Sequence, residues 1–174
     1  MNSVFLPTGD VYVFDVDGVL VDASERLKAA LRSVGLEGYE RPEDIEPGLR
    51  QAFWKVFLSP ELLELDKPRE TGIKLLLDRL GKGVVLILTG RPYRLFKSTV
   101  AQLKSMGVPM ERTILVMRPN SERRRDVDFK ASVLARIQKL VEIHDDDLKV
   151  LEAARRLHPQ ARLFLHFDDT YKEI

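Results

Sequence analysis

The sequence predicts an α/β fold: a doubly wound parallel sheet of about five strands, helices on both of its faces, and a small helical insertion after the first strand. Three observations predict it. From residue 84 onward, short apolar runs alternate with helix-length segments, which is the rhythm of strand–helix–strand units. The runs are apolar at consecutive positions, as strands covered on both faces are. Polar residues with chemical capability recur at the ends of those runs, and such sheets carry their sites beyond the carboxyl ends of the strands.

Taken in order, Val11–Phe14 is the first strand and runs into the turn Asp15-Val16-Asp17-Gly18. Ser24–Val34 reads as a helix with Leu27, Ala30, Leu31 and Val34 on one face, stopped by Gly35 and Gly38. The next stretch carries Pro42, Pro47 and Pro60 and holds one further helix around Leu49–Leu58. Pro68 opens a helix to Leu80, with Ile73, Leu76, Leu77 and Leu80 inward. Then come a strand at Val84–Leu88, a helix at Tyr93–Met106 and a strand at Thr113–Met117. A helix at Phe129–Gln138, a strand at Leu140–Ile143, a helix at Leu148–Leu157 and a last strand at Ala161–Phe167 complete the series. Right-handed crossovers wind these units into one sheet.

A chain of 174 residues, 44% of them hydrophobic, is long enough for a single domain with its own core, 1–174. The segment 22–67 is then a small helical insertion within it. The formal net charge of +1 removes any global pull toward nucleic acid or membrane, so a basic surface has to be local. The absence of cysteine excludes disulfides, zinc–thiolate sites and a cysteine nucleophile. The apolar stretch Val11–Val21 is broken by Asp15 and Asp17, so it reads as neither a signal peptide nor a membrane span. A cytoplasmic protein without a membrane partner is the expectation.

At the predicted strand ends stand Asp15 and Asp17, then Thr89-Gly90-Arg91, then Arg118-Pro119, then His144 with Asp145, Asp146 and Asp147. Lys130 opens the helix before the fourth strand. Each piece has a plain structural reading. Asp-x-Asp-Gly and Thr-Gly are common turns, a helix lysine is usually solvated, and three acids can cap a helix. Their meeting at one sheet edge, from segments far apart in sequence, points instead to chemistry. A carboxylate such as Asp15 can attack phosphorus and split a difficult hydrolysis into two steps. An anionic nucleophile and an anionic phosphomonoester need a cation between them, and oxygen ligands suit Mg²⁺. Asp145 and then Asp146 are the natural further ligands. Asp17 projects from the same side of the chain as Asp15 and can move protons. Thr89 can donate to a phosphoryl oxygen, and Lys130 adds a point charge. Gly90, Arg91 and Arg125 are candidate substrate contacts.

Phe14-Asp15-Val16-Asp17-Gly18-Val19-Leu20 resembles the first motif of the haloacid dehalogenase superfamily. Leu88-Thr89-Gly90-Arg91-Pro92 resembles the second, Lys130 the third, and Asp145-Asp146 the fourth. A second acid at Asp17 is what the phosphatases and phosphomutases of that family carry. The resemblance implies a Rossmann-like sheet of strand order 5-4-1-2-3, numbering the five strands along the chain. It also implies a metal held by Asp15, the Asp17 carbonyl and Asp145, with phosphoryl transfer through Asp15. The run Met117-Arg118-Pro119, Arg124-Arg125-Asp126, Lys130, Asp145-Asp146, Val150 and Arg155-Arg156 is also similar to the phosphatase domain of phage-type polynucleotide kinase, which removes 3′-phosphates from nucleic-acid ends. No P-loop accompanies it.

The implied function is a Mg²⁺-dependent phosphohydrolase acting on a small phosphorylated substrate. A nucleic-acid 3′-phosphatase is the alternative, and a non-catalytic relative that binds phosphate or a partner is the third reading. The family inserts a lid where residues 22–67 lie. Phe53, Trp54 and Phe57 are expected to pack that insertion on the core, the alternative being that Trp54 faces the substrate. Arg123, Arg124 and Arg125 read equally as a solvated loop or as a polyanion contact. Asp168-Asp169 mimics the fourth motif but lies one strand too far out and is expected at the surface. His144 is expected to pack beside the acids rather than to ligate.

Overall fold

A computed structural model describes residues 7–174. The strands are β1 (Asp10–Phe14), β2 (Val21–Asp22), β3 (Lys67–Pro68), β4 (Val84–Pro92), β5 (Ile114–Arg118), β6 (Lys139–Asp145), β7 (Arg162–Phe167) and β8 (Thr170–Glu173). The α-helices are α1 (Ser24–Ser33), α2 (Pro47–Phe57), α3 (Glu70–Arg79), α4 (Phe96–Ser105), α5 (Asp126–Leu134) and α6 (Leu148–Leu157). Six strands form the main sheet in the order β5-β4-β1-β6-β7-β8, and β2 and β3 form a separate two-stranded ladder. All neighbours in the main sheet are parallel except β7 and β8. The five parallel strands, numbered along the chain, therefore lie 3-2-1-4-5, which is the implied order viewed from the opposite edge.

The core follows from the two-residue period of the strands. Val11 and Val13 of β1, with Leu86 and Leu88 of β4, face Phe129, Leu134 and Leu151 of α5 and α6. Tyr12, Phe14, Val85 and Ile87 point the other way, onto Ile73, Leu76 and Leu103 of α3 and α4. The insertion has a small core of its own, in which Ala30, Leu31, Ile45 and Phe53 are buried. The β2–β3 ladder closes the insertion where it leaves and rejoins the main chain.

Several expected boundaries shift. β4 runs on through Thr89–Pro92, and its pairing with β5 slips between Thr89 and Pro92, so Gly90 and Arg91 bulge out of the ladder. Such bulges turn side chains toward a new direction. Tyr93–Leu95 is a 3₁₀ turn ahead of α4. α5 begins at Asp126, not Phe129, because Asp126 and Asp128 favour its first turn; Lys130 lies within the helix and does not open it. The strand β8 was not expected. Asp168 and Asp169 are exposed, as anticipated, but they form the turn of the β7–β8 hairpin, with Asp168 at φ +47°. Among the described residues, no helix is long and apolar enough to cross a membrane.

Candidate active site

Asp15 leaves the end of β1, the central strand of the parallel set. Its backbone N–H donates to the His144 carbonyl at 3.0 Å, which ties it to the end of β6. Its side-chain Oδ1 accepts from the Val16 N–H at 2.7 Å. This brings Asp15 beside Asp145 and Asp146, and one carboxylate oxygen from each lies within 4.8 Å of the others. Lys130 reaches in from α5. Its Nζ stands 3.0 Å from Asp15 Oδ2, 2.9 Å from Asp145 Oδ2 and 3.4 Å from Asp126 Oδ2.

The acids here outnumber the cation. Burial pushes Asp15 well above the ordinary carboxylate range; Lys130 opposes the shift, while Asp145 and Asp146 add to it. Asp146 is exposed to the cleft, and it is pushed up to about 7 by desolvation and then by Asp145. Burial would lower Lys130, but Asp145, Asp15 and Asp126 hold it well above its ordinary value, so it stays charged. Asp126 Oδ1 is buried and has no hydrogen-bond partner among the described residues. A set of hard oxygen donors with surplus negative charge fits Mg²⁺, with Asp15, Asp145 and Asp146 to hold it. Asp147 is used elsewhere: its side chain caps α6 by accepting from the Lys149 N–H at 2.9 Å.

The Asp17 carboxylate stands outside that cluster. Its Oδ1 accepts from Arg26 Nη2 and, at 2.7 Å, from Arg91 Nη2; its Oδ2 accepts from Arg91 Nε at 3.0 Å. Behind it, Asp66 accepts from Arg26 at 2.9 Å and from Arg91 at 3.2 Å. Burial alone would raise Asp17, but the two guanidinium groups outweigh it and hold the carboxyl far below the usual range. Asp17 is therefore ionised at rest, and the same two arginines that ionise it weaken it as a base.

Arg91 is corrected by this geometry. It was a candidate substrate contact, yet it is 1% exposed. Nε and Nη2 go to Asp17 and Asp66, and Nη1 donates to Thr99 Oγ1 at 3.2 Å and Gln102 Oε1 at 2.8 Å. A guanidinium has five N–H donors, and all are taken up inside the protein. Gly90 also acts through packing: a Cβ there would collide with the Asp126 carboxylate. Thr89 is buried, and its Oγ1 accepts from the Arg91 N–H at 3.1 Å.

These side chains line one cleft of about 730 Å³. The insertion supplies the opposite wall through Glu43, Trp54, Phe57 and Leu58. Phe53 packs inside the insertion's own small core, not against the main one, and Trp54, 40% exposed and edge-on to Phe57, lines the cleft. Arg118 and Arg125 also line the cleft. Arg124 pairs with Glu122 at 2.6 Å and Arg125 with Asp128 at 2.8 Å, so two of the three loop arginines already have local partners. His144 is buried, stacked between Phe14 and Phe164, and hydrogen-bonded to His166 at 3.0 Å. It packs beside the acids, as expected.

Sequence reasoning passed over Arg26 and Asp66, and met Asp126 only within a resemblance, without a role. The i,i+4 spacing of Asp126 and Lys130 on one helix face was a usable signal. Arg26 and Asp66 offered none, since they are joined only by the fold of the insertion.

No family model matches the chain, and no curated protein matches it in sequence. Solved structures do match in fold. A haloacid dehalogenase-like hydrolase from Streptococcus pneumoniae superposes with a TM-score of 0.57 at 14% identity, over 88% of this chain and 82% of that one. A hydrolase from Pseudomonas syringae gives 0.58 at 16%, over 89% and 82%. A chain of a Pnkp1/Rnl/Hen1 RNA repair complex gives 0.55 at 16%, and this protein covers 42% of that longer chain and 90% of itself. These likenesses define the class by its architecture: the fold is that of the haloacid dehalogenase-like hydrolases.

Proposed function

We propose that the protein is a Mg²⁺-dependent phosphohydrolase that cleaves a phosphomonoester through an aspartyl-phosphate on Asp15. The observation that carries the reading is the meeting of Asp15, Asp145 and Asp146 within 4.8 Å, with Lys130 against two of them, in the lining of a cleft. Bound Mg²⁺ would neutralise this corner and offset charge on the transferring group.

Asp15 attacks phosphorus through a carboxylate oxygen, and the ester P–O bond breaks as the new P–O bond forms. Lys130 orients the Asp15 carboxylate and balances charge beside it. The Thr89 hydroxyl donates to a phosphoryl oxygen. Water then attacks the aspartyl-phosphate, and Asp17 takes the proton it releases. Asp17 is ionised at rest and so can take that proton, but its two arginines make it a weak base until water and phosphate are bound beside it. In the first step a poor leaving group needs a proton, which Asp17 can supply only after it gains one against its two arginines. An aryl phosphate, whose leaving oxygen needs no proton, isolates the second step.

A small soluble phosphomonoester is the favoured substrate, because the chain is near neutral and the loop arginines are largely paired within the protein. A nucleic-acid 3′-phosphate is the second reading; Arg118 and Arg125 in the cleft lining favour it, as does the likeness to a chain of an RNA repair complex. The test is a panel of phosphomonoesters that includes 3′-phosphorylated oligonucleotides, assayed with Mg²⁺ and with EDTA. The reading requires turnover that EDTA abolishes and that Asp15→Asn abolishes in a folded protein. Full activity in EDTA refutes the metal assignment, and wild-type turnover by Asp15→Asn refutes the nucleophile.

A further inference from the structure

Arg69 is a buried cation that none of the steps above uses. It stands just before α3, is 4% exposed, and has no carboxylate within ion-pair distance among the described residues. Its guanidinium is turned onto backbone carbonyls. Nη1 donates to Gly18 O and, at 3.2 Å, to Val19 O, and it lies 3.1 Å from His166 Nδ1. Nη2 donates to Asp168 O and, at 3.3 Å, to Thr170 O. Gly18 and Val19 belong to the turn that follows the nucleophile strand. Asp168 belongs to the turn of the β7–β8 hairpin and Thr170 opens β8 directly after it. One planar side chain thus joins two turns from opposite ends of the chain.

The surroundings leave the first turn little freedom. The Arg69 N–H donates to Leu20 O at 2.9 Å, and Thr71 Oγ1 donates to Asp169 O at 3.2 Å. A Cβ on Gly72 would collide with the Val19 carbonyl, so α3 abuts the turn directly. On its other side the turn meets the acids: Gly18, at φ +83°, has no room for a Cβ against the Asp146 carboxylate. The segment Asp17–Val19 is therefore held between Asp146 and Arg69. An apolar side chain would fill the place of Arg69 at lower desolvation cost, but it would leave buried carbonyls without a donor. A lysine lacks the planar fork needed to serve both turns at once.

We propose that Arg69, together with the β7–β8 hairpin, is a positioning residue for the catalytic turn. It sets the depth of the Asp17–Val19 backbone against Asp145 and Asp146, and with it the geometry of the Mg²⁺ site. This rests on the phosphohydrolase reading. The experiment compares the wild type with Arg69→Ala and Arg69→Lys. Mg²⁺ affinity is measured by titration calorimetry without substrate, and kcat and KM are measured on an aryl phosphate. Each measurement is repeated with added guanidinium below denaturing concentrations, and with matched NaCl or urea. Arg69→Ala should weaken Mg²⁺ binding by roughly 10–100-fold, the usual scale for a lost outer partner of a metal site. It should lower kcat while leaving KM nearly unchanged, and guanidinium alone should restore both binding and turnover. If Arg69→Ala does not fold, Arg69→Lys carries the test, with a smaller loss in the same direction. Wild-type Mg²⁺ affinity and kcat in a folded variant that merely melts earlier would overturn the proposal, as would losses that guanidinium does not reverse. A wild type that hydrolyses no phosphomonoester would instead refute the phosphohydrolase reading, and the calorimetric arm would still decide the role of Arg69.

Discussion

Replacing Asp17 by Asn removes one negative charge from a cluster that is formally neutral as built. Arg26 and Arg91 bring two positive charges, and Asp17 and Asp66 bring two negative ones. The two arginine side chains are 0% and 1% exposed, so the uncompensated charge left in Asp17→Asn is buried. Breaking a buried ion pair from one side typically costs about 3–5 kcal/mol. Asp66 still lies 2.9 and 3.2 Å from the two guanidinium groups, and Asp17 is itself 27% exposed, so the lower end, about 3 kcal/mol, applies. For a chain of this length that is a fall of about 6–12 °C in Tm. Turnover of an aryl phosphate should fall separately by roughly 10²–10⁴-fold, through loss of the base for the second step. A second change separates the two effects. Arg26→Met in the Asp17→Asn background restores formal neutrality, so the double variant should recover stability relative to the sum of the single losses, while kcat stays low. Urea denaturation of the four proteins gives the coupling energy. If the single costs add within about 0.5 kcal/mol, the arginines do not hold Asp17 in the folded protein and the argument fails.

Asp145→Ala should weaken Mg²⁺ binding far more than Asp168→Ala or Asp169→Ala, because only Asp145 lies in the carboxylate cluster; a metal titration with the reverse ranking would misplace the site. Gly90→Ala should slow turnover by driving the Asp126 carboxylate away from Lys130, and steady-state kinetics unchanged from the wild type would show that this contact is idle. His166 is lowered from 6.5 to about 3 by burial and then by His144 and Arg69, so it is neutral in the folded protein. Between those two pH values the unfolded chain binds a proton that the folded chain does not. Its contribution is therefore complete above pH 6.5 and is lost on acidification toward pH 3, at up to about 1.4 kcal/mol per pH unit. Urea denaturation at stepped pH should give that slope and a flatter one for His166→Asn; identical slopes would count against a buried neutral imidazole.

The sequence by itself determined the class of the fold and the strand-end residues that could do chemistry. Buried parallel strands are continuous apolar runs, so β1, β4, β6 and β7 announce themselves locally, and Asp15, Thr89 and Asp145 are legible as the residues at or near their ends. It did not determine β8, because all of Thr170–Glu173 is exposed and an edge strand without a buried face has no pattern to read. Nor did it determine how the charges pair. Asp17 looked like a free acid–base group until the insertion folded Arg26 and Asp66 against it, and Arg91 looked like a substrate contact until Thr99, Gln102 and Asp17 used all of its donors. Periodicity records which face a residue turns to the core, and that is a property of neighbours along the chain. The partner of a buried charge is chosen by groups that only the closed structure brings within hydrogen-bond distance, and only tertiary structure could decide it.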